Sequence, residues 1–285
     1  MQIKKALITA AGADQRKLAM QTLVDSNGNR RTVLEILLEE CRQAGIEEIG
    51  VVIHAGDREI YSEIVAGDQQ IHFIEQDQAL GYGYAVLCGA SFVGNEYFLH
   101  LVGDHLYVNR TDEPCARHLI EVARQNNCSV SAVTPTRESL IPSYGTIGGK
   151  RVHPTNDLYL IDKVIEKPTP TLAEQKLMVP GLRAGHYLCF FGMHVLSPTV
   201  MSILRQNLLD AKGERIGLTD ALNTLAQKEQ YLALEKNDWR FDTGSTYGLL
   251  KAQLALALGG SDREQVMSEL LEFFAVRNIR STTHS

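Results

Sequence analysis

Apolar positions follow two different periods along the first half of the chain. Short apolar runs such as Ala6–Thr9, and the segment IEEIGVVIH that ends at His54, are typical of buried strands. Between them, the apolar residues of Thr32–Ala44 recur at helical spacing, and Gly45 follows where a helix C-terminal cap is expected. Strands and helices that alternate in this way predict βαβ units and a mainly parallel sheet.

The same patterns extend along the rest of the chain. The further predicted strands are QIHFIEQ, YFLHLVGDHLY, CSVSAVTPT, LYLIDKVIEKP and HYLCFFGMHVL, with a hairpin at YGTIGGKR. The further predicted helices are Asp57–Val65, a helix after the glycine pair of LGYGYAV that carries Ala85, Val86, Cys88 and Ala90, CARHLIEVARQNN, LTDALNTLAQKEQ and TYGLLKAQLALAL. No internal repeat or low-complexity linker appears, so the sequence predicts one α/β domain (1–285) with the later hairpins folded over the sheet.

Composition excludes several classes of function. The 285 residues carry a formal net charge of −6, which argues against a nucleic-acid or anionic-membrane surface. No apolar run approaches the roughly 18 residues of a membrane span, and no signal-peptide core is present, so we expect a cytoplasmic protein. The five cysteines are widely spaced, without a CxxC pair or a zinc-ligand pattern, and are interpreted as free thiols.

Ligands of doubly wound sheets bind beyond the carboxyl ends of the strands, so the residues after each predicted strand are the first candidates. The loop after the first strand offers main-chain amides near Gly12 and two cations, Arg16 and Lys17, that could neutralise a triphosphate. A plain polar turn is the alternative. Asp14 weakens the phosphate interpretation, because a carboxylate repels phosphate oxygens.

Three further places carry charge at strand ends. Asp104 closes an apolar strand in VGDH, and Asp242 lies in WRFDTG. Two such carboxylates could hold Mg²⁺, although each could also be a cap of a helix or turn. In VIEKPTP, Glu166 could accept from sugar hydroxyls and Lys167 could meet a phosphate, or the two could be an exposed ion pair of little energetic weight.

Together these stretches change the interpretation. AAGADQR, LVDSNG, GIEEIGVVIH, GYGYAVLC, VGDHLY, YGTIGG, VIEKPTP, LTDAL and FDTG occur in the order seen in sugar-1-phosphate nucleotidylyltransferases. Over about residues 3 to 256 the chain resembles the bacterial UTP:glucose-1-phosphate uridylyltransferases. The order of many short matches is far more specific than any one of them.

The resemblance implies a Rossmann-like mixed, mainly parallel sheet flanked by helices, in which residues 1–135 bind the nucleotide and 136–245 the sugar phosphate, followed by C-terminal helices at 246–285. It implies that a sugar 1-phosphate attacks the α-phosphorus of a nucleoside triphosphate, which releases pyrophosphate. It also implies nucleotide-binding roles, which fall to Ala10, Ala11, Gly12, Gln76 and Gly81, the last two reading the uracil edge.

The remaining implied roles concern the reacting groups. Asp104 and Asp242 resemble the family's Mg²⁺ ligands, and Gly145 and Glu166 its sugar-binding positions. Lys167 resembles the cation that meets the sugar phosphate. The implied catalytic residues are Arg16, Lys17, Asp104 and Lys167, and the implied partners are the two substrates and, as in many family members, further copies of the same chain.

The sequence departs from the family pattern at the triphosphate end. Asp14 and Gln15 replace the second glycine and the threonine of the usual GxGTR loop, and Leu18 stands where a phosphate-contacting lysine is expected. A second hypothesis is therefore a weak or inactive relative that binds a nucleotide sugar or a partner and regulates. A dinucleotide-binding dehydrogenase fits poorly, because Gly12 lacks the GxGxxG pattern.

Overall fold

The computed structural model describes residues 1–12, 17–65, 67–110 and 113–282, with side chains as far as residue 276. The strands are β1 (Ile3–Thr9), β2 (Thr22–Val24), β3 (Arg30–Thr32), β4 (Glu48–His54), β5 (Ile71–Gln76), β6 (Tyr97–Val102), β7 (His105–Val108), β8 (Ser129–Arg137), β9 (Gly145–Arg151), β10 (Leu158–Glu166), β11 (His186–Leu196), β12 (Tyr231–Glu235) and β13 (Trp239–Asp242). The helices are α1 (Val33–Gln43), α2 (Arg58–Val65), α3 (Tyr82–Cys88), α4 (Ala90–Val93), α5 (Cys115–Asn126), α6 (Pro170–Lys176), α7 (Thr199–Asp210), α8 (Leu218–Lys228), α9 (Gly248–Gly259) and α10 (Arg263–Thr282), with a 3₁₀ helix at Glu138–Ser143.

A nine-stranded mixed sheet, in the order β5-β4-β1-β6-β11-β8-β12-β10-β9, forms the centre of the fold. Strands β5, β4, β1 and β6 are all parallel, as their alternation with helices predicts. Strand β11 enters antiparallel between β6 and β8, and β10 is antiparallel to both β12 and β9. The prediction of a mixed α/β sheet flanked by helices is confirmed.

The helices cover both faces of this sheet. Side chains of α1, α5 and α9 pack into one core with residues of β1 and β4, whereas α3, α7 and α8 pack into a second core on other residues of the same strands. Thr32 begins α1 with a capping box, in which its hydroxyl accepts from the amide of Glu35. Gly45 adopts a φ of +86° just beyond α1, as the sequence predicts. None of the described helices is long and apolar enough to cross a bilayer.

The later strands close on themselves. Strand β8 occupies one flank of β11 along most of its length, and β6 and β9 share the other flank. Because β9 also pairs with β10, which pairs with β12, the strands β11, β8, β12, β10 and β9 form a closed ring. The hairpin prediction for YGTIGGKR was wrong: this segment is the single strand β9, and its hairpin with β10 extends the sheet instead of lying over it.

The prediction of one strand over YFLHLVGDHLY was also wrong in one respect. The segment forms two strands, β6 and β7, because the chain leaves the sheet at Gly103. The amide of Gly103 donates to the carbonyl of Thr9 at 2.9 Å, and a Cβ at position 103 would lie only 2.5 Å from that oxygen. The chain therefore leaves the main sheet, and β7 pairs instead with β13 in a separate two-stranded ladder. The β7–β13 ladder, as we call it, carries Asp104 at one end.

Candidate active site

The carboxyl end of β1 lies between the ends of β4 and β6. The amide of Ala10 donates to the carbonyl of Val52 at 2.8 Å, and Gly103 is held against Thr9 on the opposite side. Ala10 is buried and Gly12 is exposed, so the chain rises here from the core to the surface. The predicted nucleotide-binding stretch thus begins at the edge of the sheet where open α/β folds bind ligands.

Gln76 ends β5, two strands away from β1 in the sheet, and Gly81 lies in the loop that follows β5. The Gln76 side chain is buried and donates from Nε2 to the carbonyl of Gln78 at 2.7 Å. Gly81 precedes α3 with a φ of +97°, and a Cβ there would lie 2.5 Å from the carbonyl of Ile216. Glycine is therefore required at position 81 by the backbone conformation and by packing, apart from any room it leaves for a base.

Asp104 and Asp242 converge from distant parts of the chain. In the β7–β13 ladder Asp242 is paired with His105, the residue directly after Asp104. The amide and hydroxyl of Thr243 both donate to the main-chain carbonyl of Asp104, at 2.8 and 2.7 Å. The two acids are thus held side by side at the carboxyl end of β6.

The environments of the two carboxylates differ. Asp104 is 6% exposed, and its Oδ1 lies 2.8 Å from Nδ1 of His105. Asp242 is half-buried, and its Oδ1 accepts from the amide of Gly244 at 2.9 Å. Mg²⁺ takes one or two protein carboxylates together with phosphate oxygens and waters, and this pair fits that requirement. No group of three or more His, Cys, Asp or Glu side chains within the described ranges could form a complete metal cage.

The predicted sugar-binding residues are paired with one another across two strands. Gly145 begins β9 and is the register partner of Glu166, which ends β10. A Cβ at Gly145 would lie 2.9 Å from the Phe190 ring and 3.2 Å from Oε2 of Glu166. Lys167 follows with a φ of 44°, and its exposed ammonium lies 4.0 Å from Oε1 of Glu166.

The closed ring brings this pair towards the two acids. Strand β9 pairs with β11 at Leu188 and Cys189, on the flank of β11 that β6 occupies further along. Strand β9 therefore begins beyond the carboxyl end of β6, where Asp104 lies. The negative charges of Asp104 and Glu166 both interact with the hydroxyl of Tyr82. Burial is the main cause that raises the pKa of Tyr82, and these two charges raise it further.

The residues at these strand ends are together called the cleft, and Tyr82 is one of them that sequence reasoning missed. Tyr82 is 38% exposed as a whole, and its hydroxyl lies 2.5 Å from Nε2 of the buried His100. Burial lowers the pKa of His100 to about 4, so the ring is neutral. Nδ1 of His100 faces the carbonyl of Leu7 at 2.9 Å and must donate to it, which leaves Nε2 to accept from Tyr82. The sequence signal that could have identified Tyr82 is its place between the two glycines of LGYGYAV, directly after a predicted strand.

The triphosphate end is only partly described. The predicted catalytic residue Arg16 lies outside the described residues, as do Asp14 and Gln15. Lys17 is exposed, and its carbonyl accepts from the Gln21 side chain at 3.3 Å. Leu18 lies against Gly244: a Cβ at Gly244 would be 3.0 Å from Cδ1 of Leu18 and 3.3 Å from Oδ1 of Asp242. An apolar side chain therefore lies beside the Asp242 turn.

A separate cavity of about 680 Å³ lies between α1, the β2–β3 hairpin and the far end of β7. Its lining includes Asp25, Arg31, Glu39 and Arg42, whose opposite charges face one another. None of the described candidate residues lines it. Its size therefore does not outweigh the chemistry assembled at the strand ends.

Comparison with known proteins finds a matching family model and several similar proteins. A family model described as nucleotidyl transferase matches residues 16–258. UTP–glucose-1-phosphate uridylyltransferase 1 of Streptococcus pyogenes serotype M3 is 29% identical over 99% of both chains. A UDP-glucose pyrophosphorylase structure from Acinetobacter baumannii has a TM-score of 0.76 at 24% identity, over 95% of this chain and 100% of that one. A UDP-glucose pyrophosphorylase in complex with UDP-glucose has a TM-score of 0.73 at 24% identity, over 89% of this chain and 98% of that one.

The matched residues include the end of the loop after β1, Asp104, Asp242 and the Gly145–Glu166 pair. The match therefore spans more than half of the chain, and it begins after Ala10, Ala11 and Gly12. The protein belongs to the nucleotidyl transferase family.

Proposed function

We propose that the protein is a Mg²⁺-dependent nucleotidyltransferase that couples UTP to glucose 1-phosphate. The phosphate oxygen of the sugar phosphate attacks the α-phosphorus of UTP, the bond between the α-phosphorus and the bridging oxygen breaks, and pyrophosphate leaves with that oxygen. The observation that carries the proposal is the convergence of Asp104 and Asp242 beside the Gly145–Glu166 pair. The curated relatives of this chain support the choice of UTP and glucose.

In this proposal each group has one task. Asp104 and Asp242 hold Mg²⁺, which when bound neutralises phosphate oxygens and stabilises charge in the in-line transition state. Glu166 and Gly145 bind the sugar, and Lys167 binds its phosphate.

The nucleotide is bound by a second set of residues. The nucleoside and phosphates contact Ala10, Ala11 and Gly12. The base contacts Gln76 and Gly81, and the triphosphate is neutralised by Arg16 and Lys17. The protein's main contribution is to position two anions that otherwise repel.

The proposal also keeps the predicted organisation and location. Residues 1–135 serve the nucleotide, 136–245 the sugar phosphate, and 246–285 form C-terminal helices. All five cysteines are free, which supports a reducing compartment such as the cytoplasm. Exposed apolar side chains on α10, such as Leu271 and Phe273, support a homo-oligomer, which light scattering of the purified chain would test.

Pyrophosphate release from UTP and glucose 1-phosphate, followed with and without Mg²⁺, tests this function. The variants Asp104→Asn and Asp242→Asn keep the shape of each side chain, and the Thr243 bonds go to the Asp104 main chain, so folding is preserved. Each variant should lower kcat roughly a hundredfold or more, since a metal supplies several kcal/mol of stabilisation. Unchanged Mg²⁺-dependent rates in both would refute the assignment of the acids.

One observation favours the second candidate, a family member that binds a nucleotide sugar without turning it over. The apolar Leu18 lies beside the Asp242 turn where the family resemblance expects a cation. Calorimetry separates the two functions: tight UDP-glucose binding without pyrophosphate release, across a panel of nucleotides and sugar phosphates, would establish the binding protein.

A further inference from the structure

Arg240 occupies a position in the β7–β13 ladder that links two parts of the cleft. It lies two residues before Asp242 on β13, so the two side chains emerge on the same face of the strand. Its register partner across the ladder is Tyr107, just as the partner of Asp242 is His105. Any contact that fixes Arg240 therefore also fixes the strand that presents Asp242.

Both members of this cross-strand pair are attached to the bulge of β11. The Arg240 guanidinium donates from Nη1 to the carbonyl of Phe190. The Tyr107 hydroxyl donates to the carbonyl of Gly192 at 2.6 Å. The register of β11 against β8 shifts between Phe190 and His194, and Gly192 has a φ of +84°. The bulge thus turns two carbonyls towards the ladder.

The Arg240 guanidinium also contacts the start of β9. The central carbon of the guanidinium lies 4.3 Å from the ring centroid of Tyr144, the residue directly before Gly145. The carbonyl of Tyr144 accepts from the amide of Lys167 at 3.1 Å. The Phe190 ring, on the residue whose carbonyl accepts from Arg240, borders Gly145. The guanidinium therefore belongs to β13, the strand that carries Asp242, and contacts the strand ends near the predicted sugar-binding residues.

We propose that Arg240 is a positioning residue that sets the distance between Asp242 and the sugar-phosphate side chains Glu166 and Lys167. This inference rests on the proposed function of those residues. Only a planar guanidinium can stack on Tyr144 and donate within its plane to Phe190 at the same time. An ammonium at this position keeps the charge but loses the fixed geometry, so the metal and the sugar phosphate are no longer held in register.

The ladder itself offers a matched control. Arg110 follows β7, lies 5.6 Å from the Trp239 ring centroid, and donates from Nη1 to the carbonyl of Asn237 at 3.4 Å. The chemistry is the same as at Arg240, but this contact is at the opposite end of the ladder from Asp242. Arg110→Lys and Arg240→Lys therefore make the same chemical change at the two ends of one element.

The experiment measures KM for glucose 1-phosphate, KM for UTP and the Mg²⁺ concentration for half-maximal rate. Arg240→Lys should raise KM for glucose 1-phosphate about tenfold and the Mg²⁺ requirement several-fold, since small misplacements near the chemistry are costly. KM for UTP should stay within about twofold, and Arg110→Lys should leave all three constants within about twofold. Tyr144→Leu, which removes the stacking surface but no charge, should shift the same two constants as Arg240→Lys.

Two results would overturn the inference. One is an equal loss of melting temperature in Arg240→Lys and Arg110→Lys with unchanged kinetic constants, which would make Arg240 a purely stabilising residue. The other is an equal rise of KM for both substrates. If the wild-type chain releases no pyrophosphate, the proposed function fails instead. The positioning role is then read from calorimetry, where Arg240→Lys must weaken UDP-glucose binding at least about fivefold relative to Arg110→Lys.

Discussion

The two ends of the cleft are built in different ways. At the predicted metal and sugar end, main-chain pairing of strands fixes Asp104, Asp242, Gly145 and Glu166, and the motifs match the family resemblance. At the triphosphate end, the loop after β1 departs from the family pattern, and Leu18 brings an apolar group to the Asp242 turn. The contrast teaches that the predicted metal and sugar residues are held by backbone hydrogen bonds, whereas the predicted phosphate-binding loop departs from the family pattern.

The largest effect is expected where the two ends meet, at Gly103. Gly103→Ala places a methyl group about 2.5 Å from the carbonyl of Thr9, so β1 and β6 must separate. We expect the free energy of unfolding to fall by roughly 3 kcal/mol, measured by urea denaturation. Gly259→Ala is the matched control, because a Cβ there meets nothing within 4 Å. Equal stability of the two variants would show that the ends are not joined through this contact.

The next prediction concerns the triphosphate end alone. Leu18→Lys brings an ammonium to the Asp242 turn, where it could neutralise phosphate oxygens. We expect kcat/KM for UTP to rise about tenfold to a hundredfold, equivalent to about 1–3 kcal/mol of transition-state stabilisation.

Leu18→Met, which changes shape without charge, serves as its control and should leave kcat/KM unchanged. If Leu18→Lys brings no gain, a cation such as Lys17 already acts on the phosphates, and the contrast between the two ends weakens.

A third prediction concerns the buried charges at the end of the β7–β13 ladder opposite Asp242. Asp238, just before β13, pairs with the buried Lys236 at 2.9 Å and accepts from the amide of Arg110 at 3.1 Å. Glu40 interacts with both charges of this pair, and its Oε1 accepts from the amide of Ala116 at 2.7 Å. Burial raises the pKa of Glu40 to about 7.

A raised pKa in the folded state means that the contribution of Glu40 to stability is complete below its unfolded pKa of 4.5 and is lost as pH rises through about 7. Glu40→Gln should therefore match the wild type at pH 4.5 and be more stable by roughly 2 kcal/mol at pH 8. Urea denaturation over this range measures the difference. The control is Glu39→Gln, at an exposed position on α1, whose free energy of unfolding should change with pH as that of the wild type does. An equal gain in stability at pH 8 in Glu39→Gln would refute the prediction.

The smallest effect is expected from the support of Glu166. The hydroxyl of Thr219 donates to Oε2 of Glu166 at 2.5 Å. Thr219→Val should raise KM for glucose 1-phosphate about threefold to fivefold and leave KM for UTP unchanged, because one hydrogen bond contributes about 1 kcal/mol. Thr224→Val removes a hydroxyl from the same helix that bonds only to the carbonyl of Asp220, and it should change neither constant. Equal effects in both variants would assign the change to α8 itself.

The sequence predicted the parallel half of the fold well, because its signals are local. The apolar spacing and capping box of α1, and the apolar run of β4, act within ten or so residues. The β7–β13 ladder could not be predicted in this way. Strand β13 has four residues, none fully buried, and its pairing depends on a partner more than a hundred residues earlier.

The candidate residues divide along the same line. The types and order of Asp104, Glu166 and Asp242 are visible in the sequence, but their convergence follows from long-range pairing. Arg240 was missed for this reason, because WRFD gives no alternation strong enough to place Arg240 beside Asp242 on a strand. Once β13 is known, the spacing of two residues assigns them to one face.

The closed ring also has a consequence for solubility. Because β9 pairs with both β10 and β11 at Thr146 and Ile147, the strand at the open end of the sheet is β5. An unpaired strand edge is a template for association with other chains. Arg58 covers part of the β5 edge, because it donates from Nη2 to the carbonyl of Phe73 at 3.1 Å and from Nε to Oε1 of Glu75 at 2.9 Å. A side chain from α2 thus occupies one carbonyl of this edge strand and places charge beside it, which disfavours strand-by-strand association.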